Sequence, residues 1–311
     1  MISKFRIGAL VIILNFFASV AMIWGQDNPS LLQMAVPSLN IAPDARGGGM
    51  GDMGAATLPD INSQYWNAAK YAFMGSKAGV SLSYTPWLRK LVNDVALVNM
   101  TGYYKLGNSD LQAISASLRY FSLGEVNIWE NIGDVPYGLN PYEMAFDVAY
   151  SRKLSESYSM AVTLRYIRSD MGTDQNDESN AGNAFSADIS GYLEKYVLMG
   201  NAEALWSFGF NLSNIGSKIS YDGGNTNQYL PAKLTLGTGL LYPIDDYNQI
   251  GVYLDLNKYM VPYAPQKEEG ETDADYQTRV DDYKSWSSLS GMLKSFTDSP
   301  TGLLKEIMVS V

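Results

Sequence analysis

The chain of 311 residues contains no cysteine and no histidine. Without them it cannot build a Ser-His-Asp triad, a cysteine nucleophile, a zinc site of the usual ligands or an axially ligated haem. Disulfides and a lipid anchor on an N-terminal cysteine are excluded as well. No imidazole can serve as a switch near neutral pH. A Ser-Lys or paired-carboxylate mechanism stays arithmetically open, but no spacing singles one out. Basic residues are in deficit: the formal charge is −10, which argues against nucleic acid, whose phosphates demand a positive surface. After residue 25 no stretch has the roughly twenty continuous apolar residues of a membrane helix.

Residues 1–25 read as a targeting segment. Lys4 and Arg6 precede an apolar run from Ile7 to Ile23, with small residues at Ser19, Ala21 and Gly25. This pattern marks a secretory signal peptide, cleaved after Gly25 or, alternatively, after Ala21.

From about Gly79 onward, segments of roughly ten residues alternate apolar and polar. In Leu111 to Ser122, Ile114, Ala116, Leu118 and Tyr120 share one face, and Ser115, Ser117 and Arg119 the other. In Met144 to Leu154, Met144, Phe146, Val148 and Tyr150 oppose Ala145, Asp147, Ala149 and Ser151. The same period recurs in Tyr158–Arg168, Phe185–Leu193, Trp206–Ser213, Leu234–Tyr242 and Ile250–Leu256, giving about nine strands and a tenth starting near Glu306. Short turns near 107–110, 155–156, 196–204 and 243–247 alternate with long loops at 123–141, 170–183, 214–231 and 258–304. Sorting loops by length onto opposite ends is a habit of outer-membrane barrels, which keep short turns in the periplasm. The expected fold is therefore all-β: a transmembrane antiparallel β-barrel over 79–311, preceded by an N-terminal hatch segment at 26–78. Aromatic residues near strand ends, among them Tyr84, Trp87, Tyr103, Tyr104, Tyr158 and Tyr242, suit interfacial girdles, although aromatics favour any sheet.

Within the longest loop, Lys267 to Lys284 carries seven acids, Glu268, Glu269, Glu271, Asp273, Asp275, Asp281 and Asp282. A solvated loop, divalent-cation binding and a docking surface are all compatible with it, although the spacing is not that of an EF-hand. Over Ser285 to Phe296 the period becomes helical through Trp286, Leu289, Leu293 and Phe296, with Ser285 as a possible cap. That helix could pack on its own barrel, lie in the membrane interface or receive a partner. Val311 falls within strand-like alternation, so further strands are expected after it, since an unpaired edge in lipid costs several kcal/mol per group.

Gly49, Gly51 and Gly54 match a dinucleotide-binding G-x-G-x-x-G, but the context is wrong for one. Such a turn leaves a buried strand and opens a helix, whereas here Pro43 and Asp44 precede the run and Pro59 follows. The glycines suit a compact hatch whose backbone turns sharply and approaches other backbone. In it, Asp44 and Arg46 could meet charged groups of the lumen or pair locally, and Gln64–Asn67 and Ala72–Met74 could pack on the inner wall.

The run Pro37 to Asp52, with Asp44, Arg46, Gly47, Gly48, Gly49, Gly51 and Asp52, then Asn62 to Asn67 with Trp66 and Asn67, then Leu82 to Leu88, resembles the PorV/PorQ family of outer-membrane components of the type IX secretion system. The similarity continues through Leu111–Gly124 and Ala149–Leu154 and covers the whole mature chain. One departure is Ala68, where the family and its fatty-acid transporter relatives usually carry proline; a turn should relax there without loss of function. The resemblance implies a barrel of about fourteen strands of the long-chain fatty-acid transporter type. It also implies a shuttle that takes cargo proteins by their C-terminal signal domain from the large translocon barrel. The cargo then passes to a sortase-like surface enzyme that attaches it to anionic lipopolysaccharide. Lipopolysaccharide O-deacylation is attributed to the family too; with the usual nucleophile–base pairs absent, such an effect is expected to be indirect, so the chain is not expected to be an enzyme.

A hydrophobic-molecule transporter is the competing reading, and an enzyme on outer-leaflet lipid a third. A continuous apolar tunnel past the hatch would favour the transporter; a filled or polar lumen would favour the shuttle. Expected partners are the translocon, the attachment enzyme, cargo and outer-membrane lipid, with no cofactor or metal. In or beside the loops, Trp129, Tyr137, Tyr142 and Tyr229 are the natural aromatic anchors for a partner, unless they only order their own loops.

Overall fold

The computed structural model describes residues 32–87, 89–90, 92, 94–107, 110–128, 136–172, 181–200, 202–224, 226–298 and 302–311; the expected signal peptide and Trp129 lie outside them. The chain begins with short helical turns: a 3-10 turn η1 (Pro37–Asn40), helix α1 (Ala45–Gly49), helix α2 (Ser63–Trp66) and a 3-10 turn η2 (Ala68–Phe73). Strands follow: β1 (Ala78–Pro86), β2 (Val95–Leu106), β3 (Gln112–Leu123), β4 (Val126–Ile128), β5 (Tyr137–Leu139), β6 (Tyr142–Lys153), β7 (Tyr158–Asp170), β8 (Gly182–Met199), β9 (Ala202–Gly216), β10 (Lys233–Pro243) and β11 (Gln249–Tyr259). Helices α3 (Asp273–Ser285) and α4 (Ser288–Lys294), a 3-10 turn η3 (Leu303–Glu306) and strand β12 (Met308–Ser310) complete the described chain.

Ten strands form one antiparallel sheet in the order β1-β2-β3-β6-β7-β8-β9-β10-β11-β12, and β4 pairs with β5 as a separate hairpin. Apart from that excursion each strand pairs with its sequence neighbour. β1 and β12 stand at the two ends of the sheet and do not pair with one another.

Polarity across the sheet is inverted relative to a soluble protein. One face buries Asn99, Ser117, Arg119, Asp147, Arg165, Asp188, Asn211 and Asp255, while the other exposes Val80 (71%), Leu164 (66%) and Phe185 (67%). The alternation in β3 and β6 holds residue by residue: Ile114, Leu118, Phe146 and Val148 point outward, and Ser115, Arg119, Ala145 and Asp147 inward. Water does not reward that arrangement, since burying charge costs free energy and exposing large apolar side chains gains none. Among the described residues no helix is long and apolar enough to cross a membrane, which does not bear on strands.

The polar face is concave, because residues 32–78 lie on it and touch every strand of the sheet from β1 to β11. Ser83 of β1 donates to the Pro43 carbonyl, Lys105 of β2 to Met74, Ser159 of β7 to Ala69 and Ser207 of β9 to Ala56. On β11, Asp255 accepts the Gly54 and Ala55 amides. A segment this short can meet that many strands only if the sheet curls around it.

Four elements differ from the sequence reading, the first being the β4–β5 hairpin within the loop expected over 123–141. β8 and β9 run into the turn expected over 196–204, pairing out to Met199 and Ala202; at that end the side chains are mixed on both faces, so period two fades while backbone pairing continues. The acidic run is largely helix α3 rather than loop. Its signals are local: Thr272 caps it by accepting from the Asp275 amide, acids occupy its first turn and Lys284 its last, as the helix dipole favours. In α4 the cap is Ser287, not Ser285, and Gly291 and Met292 are buried while Leu289 and Leu293 are exposed. The face toward the sheet meets the ring of Tyr229, which leaves room only for glycine at 291.

Candidate functional site

The hatch is organised around Trp66. Asp44 caps α1, accepting from the Gly47 amide at 2.8 Å, and its other oxygen accepts from Trp66 Nε1 at 2.8 Å. The indole lies against Gly47 and Gly54, where an added Cβ would collide with the ring. Arg46 pairs with Asp60 at 2.6 Å, within the hatch itself. Gly48 and Gly49 complete α1, and Gly51 (φ 75°) and Asp52 (φ 58°) turn the chain back in the left-handed region. The glycine-rich run thus closes a short helix instead of opening one. Asn67 ties hatch to wall: its amide donates to the Ala55 carbonyl at 2.8 Å and to the Gly191 carbonyl of β8 at 2.9 Å, and its oxygen caps η2 through the Ala69 amide.

Below the hatch sits a buried charge cluster. Arg165 on β7 reaches Asp188 on β8 in a fork, Nη1 to Oδ1 at 3.1 Å and Nη2 to Oδ2 at 2.8 Å. Its Nε donates to Asp147 on β6 at 3.1 Å, and Nη1 also meets Asn214 Oδ1. Asp147 further accepts from Gln64 of the hatch at 2.6 Å and from Ser117 at 2.9 Å. Asn214 (φ 58°) donates its amide to Asp188 at 2.7 Å, opposite a register shift between Ala187 and Ile189. A bulge of this kind re-aims side chains, and asparagine tolerates the left-handed backbone better than most residues. Two carboxylates share one guanidinium here, with Gln64, Ser117 and the Asn214 amide as further donors.

Further contacts pin the hatch on both sides. Arg119 donates to the Ser38 carbonyl at 2.6 Å and the Ile41 carbonyl at 3.0 Å, and lies 4.6 Å from the Tyr65 ring. Glu143 accepts the Ser38 amide at 3.0 Å. Lys70, wholly buried, donates to the Gly54 carbonyl at 2.8 Å and Thr57 Oγ1 at 3.1 Å. Burial pulls its ammonium pKa down to about 8, opposed chiefly by the charge of Asp60. Burial raises the Tyr71 phenol, whose hydroxyl donates to the Ile61 carbonyl and accepts the Gln64 amide. Between hatch and wall lies a cavity of about 30 Å³ lined by Asn99, Arg119, Asp147, Arg165, Asp188 and Asn257 among others, room for about one or two waters. Leu39, Trp66 and Ala145 line it as well, so its walls mix charged, polar and apolar groups.

At the long-loop end, Tyr229 is 4% exposed. Its ring meets Tyr283 of α3 edge-on at 5.7 Å, and Lys218 Nζ lies 4.3 Å from its centroid. Tyr229 therefore orders its own loops and offers no free anchor. Tyr142 sits on the outward face, stacked on Tyr120 at 5.4 Å, and accepts from Arg168 Nε at 3.1 Å. Tyr137 lies in β5, paired in register with Ile128. The structure does not gather these tyrosines into one cluster. The buried charges Lys70, Asp147, Arg165, Asp188 and Asp255 were not marked by the sequence reading; the available signal was ionisable residues at the inward positions of apolar-out strands.

No match was found among curated proteins. The family model described as type IX secretion system protein PorV matches residues 25–267. That span takes in the hatch, the charge cluster and the sheet from β1 to β11, and the chain belongs to the PorV family of the type IX secretion system.

Proposed function

We propose that the chain is a shuttle of the type IX system, built on a membrane-spanning β-barrel wall and working without bond-making chemistry. It binds cargo by the C-terminal signal domain at the translocon and passes it to a sortase-like attachment enzyme. Family membership makes it an outer-membrane component of that system, and the inverted polarity of the sheet suits a wall facing lipid. The observation that carries the reading is the filled lumen. The hatch is bonded across the concave face from β1 to β11, and the cavity between it and the charge cluster, about 30 Å³, is too small for a fatty acid. Exchange with partners is then left to the outer surface and the long loops, where α3 presents Asp273, Asp275, Asp281 and Asp282 to solvent.

Extraction of the tagged full-length protein from its own outer membrane in mild detergent, with mass spectrometry of the eluate, tests this. The expected co-purifying species are a very large barrel, a sortase-like surface enzyme and signal-bearing cargo. Recovery of the protein alone with a stoichiometric fatty acid would overturn the shuttle in favour of a transporter.

A further inference from the structure

The outward face of β3, β6 and β7 carries an arginine where the rest of the wall is apolar. Arg168 faces out beside Met144, and Met144 beside Tyr120. Its Nε donates to Tyr142, itself stacked on Tyr120, and its only ion pair among the described residues, to Asp170, is long at 3.8 Å. One row further down the wall, Tyr166 donates to Asn183 at 2.6 Å. Leu118 and Phe146 share that row; below it the outward rows are Ala116, Val148 and Leu164, then Ile114, Tyr150 and Val162, and no charge recurs until Arg152. Met144 and Arg152 are separated by eight steps of β6, roughly 27 Å along a strand and roughly 20 Å once tilted as barrel strands are. That is close to the ~25 Å apolar band of outer-membrane barrels. Arg168 thus marks the band's edge at the long-loop end, and Arg152 its edge at the short-turn end.

A second feature adjoins the first. Gly102 and Ala116 are cross-strand partners on the outward face, and their small side chains leave a trough between Val80, Met100, Leu118 and Phe146. The trough is an apolar groove of about 480 Å³, within the roughly 300–1,000 Å³ of small-molecule sites. Its Leu118–Phe146 end lies one row from Met144 and Arg168.

We propose that this face holds one phosphorylated lipid of the outer leaflet in a fixed position, its phosphate on Arg168 beside the Tyr142 hydroxyl and an acyl chain in the groove. Guanidinium suits phosphate because its planar donors match the oxygens, and at 3.8 Å Asp170 is beyond hydrogen-bond reach of it. A groove in a lipid-facing wall is filled by an acyl chain, and the arginine at its mouth selects chains that bear an anion. The proposal rests on reading the sheet as a membrane wall.

The test is native mass spectrometry and phosphorus analysis of the full-length protein extracted from its own outer membrane in mild detergent. The wild type is expected to retain one phosphorylated lipid per chain, Arg168→Gln to retain at least fivefold less, and Arg152→Gln to match the wild type. Ala116→Phe, which leaves the arginine in place and fills the groove, is expected to lose the lipid as well, and gives an independent reading if the arginine variant does not assemble. An excess of inorganic phosphate is expected to leave the lipid bound. Full retention by both Arg168→Gln and Ala116→Phe, equal loss from Arg152→Gln, or displacement by phosphate alone would overturn the site. Recovery of the chain in buffer without detergent would instead overturn the membrane-wall reading beneath it.

Discussion

Arg165→Ala is expected to abolish stable assembly of the protein. Among the described residues the guanidinium is the one cation bonded to both Asp147 and Asp188, which are 6% and 3% exposed. Removing it strands two carboxylates in a buried site with room for no more than about one or two waters. Deleting one member of a buried pair costs about 3–5 kcal/mol, and here two partners are orphaned at once. The whole stability of a typical domain is only about 5–15 kcal/mol. Urea unfolding of the purified variant, or its abundance in the outer membrane, measures the loss. Arg165→Met combined with Asp147→Asn and Asp188→Asn is expected to recover a large part of it, because the cost lies in unpaired charge and not in lost volume. A single variant as stable as the wild type would mean the cluster is hydrated and does not hold the lumen together.

Gly209→Val is expected to expel the hatch while leaving the sheet paired. A Cβ at Gly209 would run into the Ala55 carbonyl, and backbone cannot give way as a flexible side chain does. The segment from Gly54 to Ala56 must move off the wall. It then loses both amide bonds to Asp255, at 2.8 and 3.0 Å, and the Ser207 bond to Ala56 at 2.7 Å. Bonds to a charged group contribute about 1.5–3 kcal/mol each, so the hatch loses a large share of its hold on β9 and β11. Limited proteolysis should cut residues 44–57 in the variant and spare them in the wild type. Gly49→Ala, where an added Cβ meets nothing, is the control. Equal protection in Gly209→Val would show that the hatch does not rest against β9.

The difference between what the sequence disclosed and what it hid has a physical basis. Ile114 and Leu118 against Ser115 and Arg119 could be assigned to opposite faces because side chains alternate along a strand, so the wall was legible from period two alone. The hatch was legible from Asp44, its glycines and Trp66 by resemblance and by the lack of strand period. The partnership of Arg165 with Asp147 and Asp188 was not, since it depends on cross-strand register and on a bulge at Ala187, which no local pattern encodes. Helix α3 was missed because capping and charge placement specify it while its apolar residues show no helical period. For Tyr229 the sequence left two readings open, since an aromatic residue in a long loop looks the same whether it meets a partner or its own helix; its ring lies against Tyr283 of α3.

If the hatch is a fixed filler and the protein works from its outer surface, tying the hatch to the wall leaves function intact. Because the chain has no cysteine of its own, one engineered pair can test it: Ala69→Cys with Ser159→Cys, across a contact where Ser159 Oγ donates to the Ala69 carbonyl at 2.7 Å. Cargo secretion is measured in cells carrying this variant, oxidised and then reduced, with bridge formation followed on non-reducing gels. The account predicts the same secretion with the hatch locked as with it free. Secretion that stops on oxidation and returns on reduction would contradict it, and would mean that the hatch has to move.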